Sequence, residues 1–345
     1  MKYTQIYLRD LTKIQDIIPD LDKLRDSSIL ITGAGGMICS AIIDFLLVLN
    51  ETLKLNIQIY AAARSEQKVK ARFGEYVQCK EFHFIQYDAT KPLEIKEKID
   101  YLIHGASNAN PATYVKEPVE TILANIVGIN NILEYAAKND SKRVLYISSS
   151  EVYGKKDETK PYSEEDYKFV DILNVRAAYP SAKRAAETMC VAFEKEYGVE
   201  SVIVRPGHIY GPTMTEKDNR ASSQFARDVI EGRNIVMKSK GTQVRSYCYV
   251  LDCVSAIFTV LINGESGNAY NISNSKSIAT IREIAECFAA TMGRDVLIEL
   301  PTEKEKQGYN LMDNSSLTSD KLESLGWQGI FDLKTGVSHT VASLV

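Results

Sequence analysis

Residues 28–40 read SILITGAGGMICS, and the rest of the chain is arranged around them. Ile29, Leu30 and Ile31 make the short apolar run of a buried parallel strand. Gly33, Ala34, Gly35 and Gly36 follow, none with a side chain larger than a methyl. Then Ile38, Ala41, Ile42, Phe45, Leu46 and Leu49 recur at helical spacing. A strand, a glycine turn and a helix in that order aim the first-turn N–H groups at a phosphate, because those donors have no acceptor within the helix. Glycine suits the turn because a Cβ would hold a pyrophosphate away from the backbone. Cys39 stands where the third glycine of such a turn would be, so a tight strand-to-helix turn in another kind of α/β protein remains the alternative.

A chain of 345 residues, 45% of them hydrophobic, can form one large or two medium domains. A formal charge of −4 and a pI near 5.8 provide no basic field for nucleic acid. No apolar run approaches membrane-spanning length and the first residues, MKYTQIYLRD, lack the apolar core of a signal peptide, so the expectation is a cytoplasmic protein without a membrane partner. The six cysteines (39, 79, 190, 248, 253 and 287) contain no C-x-x-C and lie mostly in apolar segments, which reads as reduced thiols in or near the core. The four histidines are scattered and suggest no metal site.

Residues 1–27 alternate charged positions with Ile6, Leu8, Leu11, Ile14, Ile17, Ile18, Leu21 and Leu24, which predicts a helical arm broken at Pro19. Strands are predicted in 57–64, 81–89, 100–107, 143–154 and 201–206, and long helices in 118–139 and 176–198. That alternation predicts an α/β fold, a Rossmann-type doubly wound parallel sheet with ligands at the C-terminal ends of its strands. The dinucleotide-binding domain is expected over 28–175, completed by 176–206 and 244–263. A smaller α/β substrate domain is expected from about 207–243 and 264–345. GHIYGPTM (207–214) reads as a glycine-proline loop and 301–316 as a polar loop, with a last helical segment around 318–325. The second strand ends in Ala61, Ala62 and Ala63 where an acid usually takes the ribose hydroxyls, and Arg64 follows. Arg64 is either a receptor for a 2′-phosphate, which makes NADP an alternative to NAD, or a solvated loop charge. Asp88, closing the third strand, either accepts from the adenine amino group or organises a turn.

Tyr179 and Lys183 are four residues apart and share one helix face. Pro180 between them requires Tyr179 at the very start of the helix and Pro180 in its first turn. An ammonium beside a phenol favours the phenolate and makes Tyr179 a candidate base, while Ser149 at the end of a neighbouring strand can donate to an oxygen being oxidised.

These features resemble the extended short-chain dehydrogenase/reductases, the NAD-dependent nucleotide-sugar epimerases, dehydratases and decarboxylases. The matching segments are TGAGGMI (32–38), Asp88, HGAS (104–107), Asn125, SSSEVYG (148–154), YPSAK (179–183), RPGHIYGP (205–212) and VRSYCYVLD (244–252). In overall texture the chain is most similar to UDP-glucuronate decarboxylases. The resemblance implies that an NAD cofactor is held by Gly33, Gly35, Gly36, Met37, Ile38, Arg64, Asp88, Ala89, Gly105, Ala106, Ser107, Asn125, Tyr179 and Lys183. It implies a nucleotide-diphosphate sugar against Asn108, Ser150, His208, Arg220 and Arg245, and catalysis by Ser149, Glu151, Tyr179 and Lys183. It also implies a homodimer formed through the helices at 118–139 and 179–197.

Departures from the family pattern narrow the chemistry. Decarboxylases carry an arginine where Asn314 stands, and 301–327 contains no arginine. Glu151 matches the glutamate of dehydratases and decarboxylases, where simple 4-epimerases carry a small or hydroxyl residue. Such a carboxylate can take the C5 proton once C4 is a ketone. His208 replaces a frequent asparagine and Thr213 a frequent arginine, while Arg245 keeps the position that contacts the β-phosphate. Arg220 either adds a second cation or is a surface charge. The expected reaction is oxidation of sugar C4 followed by 4,6-dehydration or epimerisation, with decarboxylation and 4-epimerisation as alternatives. A non-catalytic cofactor-binding sensor or scaffold is the alternative of another class.

Overall fold

A computed structural model of the chain describes residues 4–107, 109, 111–156, 159–299 and 313–345. Helix α1 (Gln5–Gln15) precedes strand β1 (Ser28–Thr32), and the glycine turn leads into α2 (Met37–Thr52). Then come β2 (Gln58–Ala63), α3 (Glu66–Phe73), β3 (Phe82–Gln86), β4 (Tyr101–His104), α4 (Pro111–Lys116), α5 (Pro118–Asn139) and β5 (Arg143–Ile147). Helix α6 (Ala178–Tyr197), β6 (Ser201–Pro206), β7 (His208–Tyr210), α7 (Ala221–Ile230), β8 (Ile235–Met237) and β9 (Val244–Tyr249) follow. The remainder holds α8 (Val250–Asn263), β10 (Ala269–Ile272), β11 (Ile278–Thr280), α9 (Ile281–Thr291), β12 (Val296–Ile298), β13 (Asn314–Ser315) and a helix at Leu333–Ala342.

Seven parallel strands are ordered β10-β6-β5-β4-β1-β2-β3. The order reverses between β1 and β4, and in open α/β sheets the crevice beyond such a reversal is where ligands bind. The glycine turn after β1 and residues 105–107 after β4 border that crevice. Successive strand side chains point to opposite faces, so the sheet feeds two cores. Ile29 and Ile31 pack with Ile42 and Phe45 of α2 and Val254 and Phe258 of α8. Leu30 packs with Leu102, Tyr146, Ile129 and Ile132 of α5, and Cys190 of α6. Beyond the sheet, β9 pairs in parallel with β7 and β13 and antiparallel with β11, and β8 pairs with β12.

Helix α1 lies on α2 and α8. Its Tyr7 hydroxyl donates to Asp44 Oδ2 at 2.9 Å, and Asp44 also pairs with Arg72. Asp10, fully buried, accepts from the Tyr249 hydroxyl at 3.4 Å and lies 2.7 Å from His339 Nδ1. Thr4 Oγ1 donates to Ser343 Oγ at 3.2 Å.

The helix predicted over 118–139 is α5 to the residue, and Pro180 is the third residue of α6 with Tyr179 the second, as the Tyr-Pro pair requires. Strands β7 and β10 and the helices at 111–116 and 333–342 carry too weak a period to be anticipated. β7 lies within the segment read as a loop, since three residues cannot display an alternation. Most of the polar loop expected over 301–316 lies outside the described residues.

Cys39 is accommodated at the missing glycine because Gly105 faces it. A Cβ on Gly105 would collide with Cys39 Sγ and come within 3.2 Å of Ile147 Cδ1. Gly105→Ala should therefore destabilise the chain by about 1–3 kcal/mol in denaturant unfolding, and adding Cys39→Ala should recover much of that loss. Additive losses in the double variant would contradict this packing.

Candidate active site

The turn between β1 and α2 is built on close backbone approach. Gly33 has φ 74°, and a Cβ there would lie 3.0 Å from the backbone of Gly105 and Ala106. Gly36 N donates to Gly33 O at 2.8 Å, and Gly36 caps α2 with no side-chain hydrogen bond to its first-turn donors. A Cβ on Gly35 would enter open space with nothing within 4 Å. Across the crevice, Ser107 Oγ is buried without a hydrogen-bond partner among the described residues. An uncapped helix start, a side-chain-free cradle and a buried unmatched hydroxyl fit the pyrophosphate end of a dinucleotide. Met37 and Ile38 open α2, and Met37 O accepts from Thr213 Oγ1 at 2.9 Å, so the residue in place of an arginine ties the second half of the chain to this turn.

After β3, Asp88 Oδ1 accepts from Thr90 N at 3.0 Å and Thr90 Oγ1 at 2.9 Å, which holds its carboxyl below the usual range with help from the Arg64 charge. Asp88 thus organises a turn, and Arg64 lies close enough to influence it. Ala89 O accepts from Asn131 Nδ2 at 2.8 Å. Asn125 is buried on α5, donating to Thr121 O at 2.8 Å and accepting from the Tyr146 hydroxyl at 3.5 Å. His104, 1% exposed, contacts Thr32 Oγ1 through Nδ1 at 2.8 Å, and burial pushes its pKa down to about 3, so it is neutral.

Strand β5 delivers Ser148 to the sheet edge, and Ser149 caps a short turn at Ser150–Tyr153 by accepting from Glu151 N at 3.2 Å. Tyr179 is buried and hydrogen-bonded to Ser149. Burial drives its hydroxyl pKa well up, the Ser149 bond and Arg220 pull it down, and the Glu151 charge pushes it up. Lys183 Nζ donates to Ile147 O at 2.7 Å and lies 5.7 Å from the centroid of the Tyr179 ring. Burial pushes Lys183 down to about 7, against the pull of Glu187 one turn later. The ammonium expected to activate Tyr179 is itself pushed toward its neutral form, because burial disfavours charge on both groups.

Glu187 fixes this helix to the sheet. Its carboxylate takes Arg205 Nη2 at 2.6 Å and Nε at 3.0 Å and accepts from Ser148 Oγ at 2.5 Å. Arg205 Nη1 donates to the Tyr153 hydroxyl at 3.0 Å and to Glu164 O at 2.9 Å. At the far end, Arg220 forms a two-point pair with Asp218 (2.6 and 2.9 Å) and approaches Met37 Sδ at 3.5 Å. Arg220 and Arg245 both act on His208, whose pKa falls to about 3 through burial first and these two charges next. The expected His208, Arg220 and Arg245 cluster is therefore in one place, whereas Asn108 lies outside the described residues.

Residues 29–273 match the NAD dependent epimerase/dehydratase family. The chain belongs to this family. UDP-glucuronic acid decarboxylase 6 of Arabidopsis thaliana is 32% identical over 309 residues, covering 90% of this chain and 86% of the relative. UDP-glucuronic acid decarboxylase 1 of Xenopus tropicalis is 30% identical, covering 91% and 71%. Among solved structures, UDP-N-acetylglucosamine 4-epimerase from Methanobrevibacter ruminantium superposes with a TM-score of 0.79 at 20% identity, covering 92% of this chain and 98% of that one. The dTDP-glucose 4,6-dehydratase DesIV from Streptomyces venezuelae gives 0.77 at 20% identity over 91% and 96%. The doubly wound sheet expected from the sequence is the fold of this epimerase/dehydratase family.

Two residues that meet Glu151 escaped the sequence reading. Tyr114 on α4 stacks on Tyr179 with ring centroids 5.1 Å apart and planes 9° apart, and its hydroxyl donates to Glu151 Oε1 at 3.3 Å. Arg176 Nη2 lies 3.7 Å from the same oxygen. Arg176 opens the segment 176–198 predicted as a long helix, three residues before Tyr179, and that position was the available signal. Lys155, the cation nearest Glu151 in sequence, has no pair with it among the described contacts.

The open space over Gly35 gives the clean test of the cradle. Gly35→Val should abolish calorimetrically measured NAD binding while the melting temperature stays within about 2 °C of wild type. Wild-type affinity in the folded variant would remove the turn from the cofactor site.

Proposed function

We propose that this chain oxidises C4 of a sugar linked to a nucleoside diphosphate, using NAD, and then acts at C5 through Glu151. The observation that carries the reading is the convergence of Ser149, Tyr179 and Glu151 within one turn of chain and the start of α6, beside Lys183. A bound nicotinamide dinucleotide supplies the hydride acceptor and, when oxidised, a positive charge. Tyr179 removes the C4 hydroxyl proton, and Ser149 orients that oxygen by hydrogen bonding. Lys183, held by Ile147 O, orients the ribose and offsets negative charge on the phenol. With C4 a ketone, C5–H is acidified; the Glu151 carboxylate takes that proton and hands it to the departing C6 hydroxyl so that water leaves, and the hydride taken from C4 would return to C6. Arg245 and Arg220 suit the diphosphate, and His208 stays a neutral hydrogen-bonding group beside them.

Decarboxylation is the second reading, favoured by curated relatives that are UDP-glucuronic acid decarboxylases. Asn314 weighs against it, because its amide donates to Thr159 O at 2.6 Å where an arginine would be needed for the sugar carboxylate. Arg64 beside Asp88 keeps NADP open as a cofactor. We infer that residues from about 207 to 243 and from 264 onward form the sugar-side domain around β9. A homodimer through α5 and α6 is supported by the exposed Val119, Ile122 and Leu123 on one helix and Val191 and Tyr197 on the other. Among the described residues no helix is long and apolar enough to cross a membrane, and the free thiols suit the cytoplasm.

Incubation with UDP-, dTDP-, GDP- and CDP-sugars, including UDP-glucuronate, with product masses as readout, tests the reading. Loss of water supports dehydration, loss of CO₂ moves decarboxylation to the front, and unchanged mass with a new isomer indicates epimerisation. Tyr179→Phe should cost at least ~10²-fold in turnover. Glu151→Gln should still reduce the cofactor, seen by absorbance, while solvent deuterium no longer enters C5. Normal turnover by folded Glu151→Gln would remove the C5 step and favour a 4-epimerase.

A further inference from the structure

The Glu151 carboxylate is held from two sides by elements that also hold Tyr179. On one side, α4 brings up Tyr114, 1% exposed, whose ring stacks on Tyr179 and whose hydroxyl donates to Glu151 Oε1 at 3.3 Å. Burial drives the Tyr114 hydroxyl well above its ordinary range, so it remains a donor at any working pH. On the other side, the Asn174 side chain accepts from Arg176 N at 3.0 Å and caps the turn Val175–Ala177, which runs directly into α6. That turn puts Arg176 Nη2 3.7 Å from Glu151 Oε1, with both side chains one-quarter exposed, and the guanidinium 6.0 Å from the Tyr114 ring centroid. One carboxylate oxygen therefore meets both groups, and among the described residues Oε2 has no hydrogen-bond partner.

We propose that Tyr114 and Arg176 are positioning residues that hold Glu151 ionised and aimed beside Tyr179. The proposal rests on the C5 role of Glu151 given above, yet its direct readout does not depend on turnover. Neither residue needs to touch substrate: Tyr114 acts through its hydroxyl and its stack, and Arg176 through its charge.

The charge balance gives the sign. Burial pushes the Glu151 carboxyl above its ordinary value, and Arg176, the Tyr114 hydrogen bond and Arg245 on β9 act in the opposite direction. Tyr179, on α6, is the other titratable group facing it, and in the chain without cofactor, where the titration is run, burial raises its hydroxyl pKa so that it adds no opposing charge. A carboxyl that loses its cation or its donor becomes easier to protonate. Without Arg176 the ionised form should therefore be lost at a higher pH than in wild type.

The test is carbon-13 NMR titration of the Glu151 side-chain carboxyl in the full chain, with the signal assigned by its loss in Glu151→Gln. Arg176→Gln should move the midpoint upward by about 1 pH unit, Tyr114→Phe should move it upward by less, and Arg176→Lys should leave it near wild type. With whichever panel sugar is turned over, the acid limb of kcat/KM should move with the NMR midpoint. The loss in Arg176→Gln should then be about tenfold larger at a pH below the limb than above it. A purely structural role would lower activity equally at all pH and leave the midpoint in place. An unmoved midpoint in folded Arg176→Gln overturns the role of Arg176, and an unmoved midpoint in Tyr114→Phe overturns that of Tyr114. Midpoints that move while the acid limb does not would uphold the positioning and reject Glu151 as the C5 base.

Discussion

The ion pair between Glu187 and Arg205 is the interaction on which the site's geometry depends. A guanidinium 2% exposed and a carboxylate 8% exposed are costly to remove from water, and only a full set of partners offsets that cost. Here both oxygens of Glu187 bind Arg205, Ser148 adds a third bond, and the remaining guanidinium nitrogen finds Tyr153 and a backbone carbonyl. Four segments meet there: β5, the turn after it, α6 and β6. Removing either charge alone would leave the other buried, a loss of about 3–5 kcal/mol, so the four segments are locked in one arrangement. Lys183 is one turn before Glu187, and Ser149 is next to Ser148. The positions of the hydroxyl, phenol and amine are thus consequences of a structural pair that itself does no chemistry.

That arrangement explains why the electrostatics of the pocket are so finely opposed. Tyr179 and Lys183 are both deeply buried, so each is pushed toward its neutral form. Glu151 is pushed the same way and is returned toward ionisation by cations from two different elements. A pocket that disfavours every charge makes each added charge consequential, because fields are weakly screened there. Neutral His104 and His208 fit the same logic: imidazoles in these places contribute hydrogen-bonding atoms and little charge.

Much of this was legible in the sequence, for physical reasons that can be named. Strand β1 and helix α2 were evident because an apolar run, a glycine turn and a helical period adjoin. The Tyr-Pro pair fixed the start of α6 by sterics alone. Strand β10 escaped because its four residues include buried Asn271, whose amide is satisfied by Tyr162 O, a contact no local pattern reveals. Tyr114 escaped because α4 is six residues long, too short for a period to register. Cys39 looked like a defect in the glycine motif, and its acceptance depends on Gly105, 66 positions away in the chain. The choice between a ribose and a 2′-phosphate at Arg64 was not legible, since one exposed arginine serves either purpose.

The contacts of α1 carry a consequence for how the molecule opens. Thr4 meets Ser343, and Asp10 joins His339 to Tyr249, so two segments more than three hundred residues apart in sequence hold one another. Peripheral helices usually fray independently and at little cost. Here neither can peel away without releasing the other and unsettling β9, the central strand of the second half. The polypeptide behaves as a ring closed by a noncovalent clasp, so loosening at that seam would reach β9 through Asp10 and Tyr249 and the parallel sheet through α2 and α8.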